Sequence, residues 1–440
     1  MSMKKILFFS LLLISFFSGC KDDDDPAPGE RPGERLNQAL SEYKQQLVSA
    51  EHGWKAVLYP GSGGAYSFLF RFQEDNKVVM SADINAASVT PKESTYRLKT
   101  MQRPTLIFDT YNYLHILTDP DETISGGDRG VGLDSDFEYS FESVTPETIT
   151  LRGNFRDSRL VLTRATADEA ANFIPSIAAT AQVFENMNQL KTYFKRLTIG
   201  GNAFDLSVDT RRRSITFSYG EDNALKQYTT NYFFTPTGIT LVEPLTANGI
   251  TITELNNVQY NAGTNSISFS SNNTAGSIRE ANSPAVVNAA GARSLLLSPE
   301  GQSYWATGGF ETADDDDLFN VFSIPNMFFL VYWPNFYRNS FDLLGFVLVD
   351  PATNSPSLDY GPTATSRVTN DGRIIFTFNG NLEELFQNIP PVPEAYVPIV
   401  TATREQWVDA QGYYYVQESE NVVVLVSAKD AKVWMRLFRQ

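Results

Sequence analysis

After one helical stretch the apolar period of this chain drops to two and stays there from residue 54 to residue 164. Short β-branched and aromatic runs follow one another, with turn residues between them and no helical pattern to separate them. The opening helix is read over residues 34–52, where Leu36, Ala39, Leu40, Tyr43, Leu47 and Val48 share a face and Gly53 stands at the C-terminal cap. Runs at residues 54–59, 66–72, 77–80, 95–99, 105–108, 137–141, 148–152 and 159–164 then read as strands, with Asp75-Asn76 as a hairpin turn. Parallel neighbours need long crossovers, which these spacings do not leave room for. The expected fold is therefore mainly β: an N-terminal helix and an antiparallel meander, curled or closed like a barrel.

The plan recurs. Val183, Phe184, Met187, Leu190, Tyr193, Phe194 and Leu197 keep helical register and are read as a second helix. Strands are expected after it at residues 204–208, 214–219, 228–234, 238–242, 249–255 and 266–270. Residues 145–151 align without a gap on residues 235–241, an offset of 90 that Leu160, Leu162 and Thr163 keep with Ile250, Ile252 and Thr253. That match favours an internal duplication. Residues 272–277 read as a loop, and further strands are expected at 341–349, 373–378, 412–417, 421–427 and 433–438, with Asn370-Asp371-Gly372 as a turn. The domain plan is a leader over 1–19, a tether over 20–33, a helix-plus-β domain over 34–166, and a second helix-plus-β region over 167–440. A sub-boundary is placed near 272–292, with the last third integrated into the second unit.

The leader is read from Lys4 and Lys5 ahead of the apolar run 6–17, too short to span a bilayer comfortably. It ends in Phe17-Ser18-Gly19-Cys20, a lipobox-like sequence containing the single cysteine of the chain, so Cys20 is the expected lipidation site. Lys21, Asp22, Asp23, Asp24 and Asp25 follow as a candidate surface-export signal, and a Pro/Gly tether comes next. One cysteine and two histidines exclude zinc fingers, CxxC redox pairs, HExxH peptidases and cysteine-ligated iron–sulfur centres. The net charge is −16; loss of the leader leaves 33 basic against 51 acidic residues, or −18. That sign argues against nucleic acid, and it leaves the lipid as the membrane anchor.

The lipobox with its acidic start, the helix ending in His52-Gly53-Trp54, the run Tyr66-Ser67-Phe68-Leu69-Phe70-Arg71-Phe72 and the segment Gly132-Leu133-Asp134-Ser135-Asp136-Phe137-Glu138-Tyr139 resemble an uncharacterised Bacteroidetes surface lipoprotein family. The resemblance implies an accessory outer-membrane lipoprotein facing the cell exterior, beside SusC/SusD-type import systems. A TonB-dependent transporter and a SusD-like lipoprotein are the partners it implies. It carries no catalytic residue across, and no cofactor is expected.

Asp119, Asp121, Glu122, Asp128, Asp134, Asp136 and Glu138 crowd one glycine-rich segment but lack EF-hand order, so a solvated acidic loop is preferred to a calcium site; consecutive residues Asp314 to Asp317 point to alternate faces and cannot converge. His52 is assigned to a helix end and His115 to a sheet, both structural. Trp54 is assigned to the core. Trp305, Tyr332, Trp333 and Tyr337 are the candidate ligand platforms, with Tyr413-Tyr414-Tyr415 behind them, because aromatic rings stack on sugar faces. Trp333-Pro334-Asn335 is read as a turn that exposes the indole. The expected function is non-catalytic capture of a nutrient, glycan first, or docking on the transporter. The alternatives are a purely structural transporter subunit and a hydrolase working with carboxylates alone.

Overall fold

The computed structural model describes residues 32–222, 224–297, 304–336, 340–387 and 389–440. Three antiparallel barrel-like sheets follow one another along the chain, each introduced by a helix. Helix α1 (Pro32–Val48) leads into β1 (Trp54–Tyr59), β2 (Tyr66–Phe72), β3 (Lys77–Ala82), β4 (Lys92–Thr100) and β5 (Pro104–Phe108). The short helices α2 (Tyr113–Leu117) and α3 (Glu122–Ser125) interrupt the meander before β6 (Glu138–Val144), β7 (Thr148–Gly153) and β8 (Arg159–Arg164). β1 pairs with both β2 and β8, so the first sheet closes.

Alternation decides what fills it. Trp54, Ala56 and Leu58 are buried while Lys55, Val57 and Tyr59 are half-buried on the outer side, as the two-residue period of a strand requires. Trp54 joins helix to barrel: its indole Nε1 donates to the Leu47 carbonyl of α1 at 2.8 Å. Gly53, between them, has φ +81°, and a Cβ there would lie 2.4 Å from the Phe70 carbonyl oxygen, so both conformation and space call for glycine.

Helix α4 (Ala167–Glu185), whose first turn Thr166 and Glu169 close reciprocally, opens the second unit. Its barrel runs through β9 (Phe194–Ile199), β10 (Asn202–Asp209), β11 (Ser214–Glu221), β12 (Ala224–Thr235), β13 (Gly238–Ala247), β14 (Ile250–Asn261), β15 (Ser266–Ser271) and β16 (Thr274–Ala281), and β16 pairs back onto β9. The second unit departs from the sequence reading at two places. The helical register assigned to 183–197 ends at Glu185 with a 3-10 turn over Asn186–Gln189, and Phe194 and Leu197 belong to a strand. Residues 274–277, expected as loop, form part of the closing strand, and the turn before them is made by Asn272 and Asn273, both at positive φ.

The third unit is a barrel in its own right rather than an extension of the second. Helix α5 (Ala289–Leu296) precedes β17 (Trp305–Thr307), β18 (Phe310–Glu311), β19 (Met327–Asn335), β20 (Phe341–Asp350), β21 (Ser355–Tyr360), β22 (Pro362–Val368) and β23 (Ile374–Asn381). Helices α6 (Leu382–Leu385) and α7 (Val397–Trp407) come before β24 (Tyr413–Ser419), β25 (Val422–Ser427) and β26 (Trp434–Arg439). β17 pairs with β19 on one side and β26 on the other, returning the sheet on itself; β18 and β21 lie outside this ring. The last strand of the second sheet ends at Ala281 and α5 begins at Ala289.

The 90-residue match is not the structural repeat. It lays β7 on β13, the seventh strand of one barrel on the fifth of the next, whereas first strands β1 and β9 begin at Trp54 and Phe194. Thr-Pro before an Ile-Thr-Leu run is a turn entering a half-buried strand, a pattern any meander of this kind reuses.

The barrels are joined by charge as well as by apolar contact. Between first and second, Arg213, in the β10–β11 turn, donates from Nη1 to Asp83 Oδ2 (2.8 Å) and the Ala65 carbonyl (2.8 Å), and from Nη2 to the Asp83 carbonyl (2.6 Å). Its guanidinium lies 4.1 Å from the Tyr66 ring centroid. Between second and third, Phe194 packs with Val424, Val426, Ala431 and Trp434.

Candidate functional site

The outer wall of the second barrel carries a polar grid set by strand register. Buried Phe204, Leu206, Ile215, Phe217, Tyr232 and Phe234 fix the inward face, so the intervening residues point out. Ser207 stands opposite Thr216, and Thr216 opposite Thr229; one step along, Asp205 stands opposite Ser218, and Ser218 opposite Gln227. Two rows of three polar side chains therefore cross β10, β11 and β12. Thr216 and Thr229 share a hydroxyl hydrogen bond at 2.8 Å.

This grid forms one wall of a cleft of about 330 Å³ between the second and third barrels. Residues 415–418 of β24 supply the opposite wall, Tyr193 and Phe194 contribute aromatic surface, and Pro284 and Val286 of the connecting segment also line it. Gln227 Nε2 donates across to the Gln417 carbonyl at 3.2 Å. The connecting segment is held by Asp205, whose Oδ2 accepts from the Ala285 N–H (2.5 Å), while Oδ1 accepts from Arg196 Nε (2.6 Å). Arg196 Nη2 reaches the Ser283 carbonyl at 2.6 Å. Burial raises the Asp205 carboxyl pKa, against the pull of Ala285 and Arg196.

On the far wall Glu418 accepts from Tyr193 Oη (2.8 Å) and from Arg436 Nε (3.0 Å) and Nη2 (3.3 Å). Arg436 Nη1 also donates to Glu311 (2.6 Å), which accepts from Trp434 Nε1 at 3.0 Å. Burial and the Glu418 carboxylate hold the Tyr193 hydroxyl protonated, with its pKa well above that of an ordinary tyrosine. The cleft is thus hydroxyl- and amide-lined, with aromatic surface and a carboxylate on each wall.

The sequence-derived platforms lie elsewhere. Tyr332 is fully buried and Trp305 is 8% exposed, both in the core of the third barrel, so neither ring offers a face to solvent. Trp333 is half-buried within β19 rather than on a turn, against Tyr304 (5.2 Å) and Phe336 (5.1 Å). Tyr337 lies outside the described residues, as do Cys20, Lys21, Asp22, Asp23, Asp24 and Asp25. Of the Tyr413-Tyr414-Tyr415 run, only Tyr415 lines the cleft. His115 belongs to α2 rather than to a sheet; its Nδ1 accepts from the Asn112 N–H at 3.3 Å in a capping box, and burial lowers its pKa. His52 sits in the turn after α1.

The acidic segment is not one solvated loop. Asp136 is 2% exposed and organises the β7–β8 hairpin: Oδ1 accepts from the N–H groups of Phe155 (2.8 Å) and Arg156 (3.1 Å), and Oδ2 from Ser158 Oγ (2.7 Å). Asp121 caps α3, Asp128 pairs with Arg212 and Asp134 with Arg156. Among the described residues no group of three or more acidic, histidine or cysteine side chains is arranged to hold a metal. Asp136→Ala removes several charge-assisted bonds at once and is expected to lower stability by about 3 kcal/mol, read as a fall in thermal midpoint. Calcium raising the midpoint of the wild type but not of the variant would instead make Asp136 a ligand.

No curated protein matches the chain. Solved structures similar to it include the octameric penicillin-binding protein homologue from Pyrococcus abyssi, at 10% identity and a TM-score of 0.15, covering 35% of this chain and 37% of that one. DNA polymerase III subunit beta from Borrelia burgdorferi matches at 8% identity and a TM-score of 0.14, covering 92% and 97%. Likenesses at these scores define neither fold nor activity. Residues 24–261, through the first barrel and as far as the end of β14, match the family described as Domain of unknown function (DUF4302), and on that match, more than half of its length, the chain belongs to the DUF4302 family.

Proposed function

We propose that this chain is a lipid-anchored, non-catalytic binding protein on the outer face of a Bacteroidetes outer membrane. It captures a glycan for a SusC/SusD-type uptake system in the cleft between its second and third barrels. The leader, Cys20 and the acidic run after it support the anchoring and the surface address. The observation that carries the capture reading is the two-row grid of Ser207, Thr216, Thr229, Asp205, Ser218 and Gln227 facing β24 across the cleft. Hydroxyl and amide groups in register match the spaced donors and acceptors of a sugar, and Tyr193 and Tyr415 provide apolar contact. The volume lies at the small end for ligand sites, so a glycan enters by a terminal unit rather than along its length.

Calorimetric titration of the full-length chain in mild detergent against a panel of oligosaccharides tests this. At least one is expected to bind, and Thr229→Arg, which fills the cleft from an exposed strand position, is expected to weaken it at least about tenfold, or 1.4 kcal/mol. Binding to no member of the panel, or binding untouched by Thr229→Arg and Thr216→Trp alike, overturns the assignment. Purification from the native outer membrane is expected to bring a TonB-dependent transporter with it; a protein that always comes alone would remove the uptake complex from the proposal.

A further inference from the structure

We propose that the cleft selects its glycan by charge, taking neutral or amino sugars and rejecting uronic, sialic or sulfated units. This inference rests on the capture reading above and goes further, to the class of sugar. Among the described residues, Asp205 and Glu418 are the charged side chains that line the cleft, one on each wall, and both are acidic. Their cationic partners, Arg196 and Arg436, do not line it; each holds its carboxylate from outside the lining.

Geometry leaves the carboxylates able to bind more. A carboxylate accepts about four hydrogen bonds. Asp205 accepts two from the protein, from Arg196 and Ala285, and Glu418 accepts three, from Tyr193 and Arg436. The remaining acceptor positions suit donors, which sugar hydroxyls and ammonium groups supply and sugar carboxylates or sulfates do not. Neighbouring grid members Ser218 and Gln227 lie in the same cross-strand row as Asp205, so a hydroxyl on the carboxylate places the next sugar oxygen near a hydroxyl or amide. An acidic sugar brings a like charge against two partly buried carboxylates, with no lysine or arginine among the described lining residues to offset it. Both carboxylates are paired, so the bias is moderate rather than absolute.

The test is calorimetric titration of the full-length chain with oligosaccharides matched in linkage and length: galactose against galacturonic acid oligomers, and N-acetylglucosamine against glucosamine oligomers. The galacturonic acid form is expected to bind at least about tenfold more weakly than the galactose form at low salt, with the gap shrinking at high ionic strength. Glu418→Gln is expected to bring the two within about threefold by relieving like-charge repulsion, as is Asp205→Asn, an independent variant that leaves the Glu418 network in place. Unchanged thermal midpoints establish that each variant keeps the barrels together. Equal binding of acidic and neutral forms to the wild type overturns the charge selection and leaves capture standing. A gap that persists in both variants takes the selection away from these carboxylates. Failure of every oligomer to bind overturns capture, and the selection with it.

Discussion

Asp83→Ala is expected to lower stability by about 3–5 kcal/mol, because it strands the Arg213 guanidinium in a buried site without its counter-charge. The two side chains are 1% and 5% exposed, and both Asp83 carboxylate oxygens are engaged, one by Arg213 and the other by the Ser67 N–H at 2.9 Å. Burial pushes the Asp83 carboxyl upward in pKa, with Arg213 pulling it back down, so the pair is ionised by mutual support rather than by solvent. Arg213→Met is expected to be damaging for the mirror reason. The double variant Asp83→Leu/Arg213→Met is expected to recover most of either loss, since an apolar pair of similar volume removes both desolvation terms. Urea midpoints followed by circular dichroism measure the cycle; single variants with unchanged midpoints would show that the pair does not hold the first two barrels together.

The second large effect is expected in the third barrel. Trp407, the last residue of α7, is fully buried and lies 4.9 Å from the ring of Phe376 and 6.4 Å from that of Tyr332. Trp407→Ala leaves a cavity beneath the helix and is expected to cost about 3–5 kcal/mol. Trp407→Phe is expected to cost much less. Its ring keeps the aromatic contact with Phe376, and no hydrogen bond is lost, because the buried Nε1 has no partner among the described residues. Scanning calorimetry separates the two substitutions; a phenylalanine variant as unstable as the alanine one would mean that filling volume is not what the indole does there.

Much of the first barrel was legible in the sequence because local chemistry and tertiary demand agree there. Trp54–Tyr59 and Arg159–Arg164 alternate, Tyr66–Phe72 buries an aromatic at every second position, and glycine, proline, asparagine or aspartate stands in the turns between strands. The closing strands of the second barrel were illegible for the opposite reason. Thr274–Ala281 begins Thr-Ala-Gly-Ser, a composition with little strand preference, and it is extended because β9 and β15 pair with it. Phe194 and Leu197 happen to continue the spacing of Phe184 and Met187, so the switch from helix to strand leaves no trace in the period.

The cleft was hidden more deeply still. Ser207, Thr216, Ser218 and Thr229 are ordinary outward residues along their own strands; only the register between strands gathers them, and only the placement of β24 makes a second wall. Trp305 and Tyr332 belong to an aromatic-rich stretch, but large rings in a barrel of this size serve first to fill it. Asp136 looked like part of a charge run because nothing in the sequence says that three backbone N–H groups of the next hairpin turn toward it.

Closure also governs how such molecules tolerate crowding. A strand hydrogen-bonded on both sides offers no template to another copy, and the first two sheets are closed rings. In the third, β18 pairs with β26 alone and β21 with β20 alone, and the longer of the two, β21, presents a free margin. That margin contains Pro356, which has no N–H to give, and Asp359, whose charge repels its counterpart on an identical neighbour. At the first two barrels and along β21, densely packed copies of this chain can therefore stand side by side without zipping into a continuous sheet.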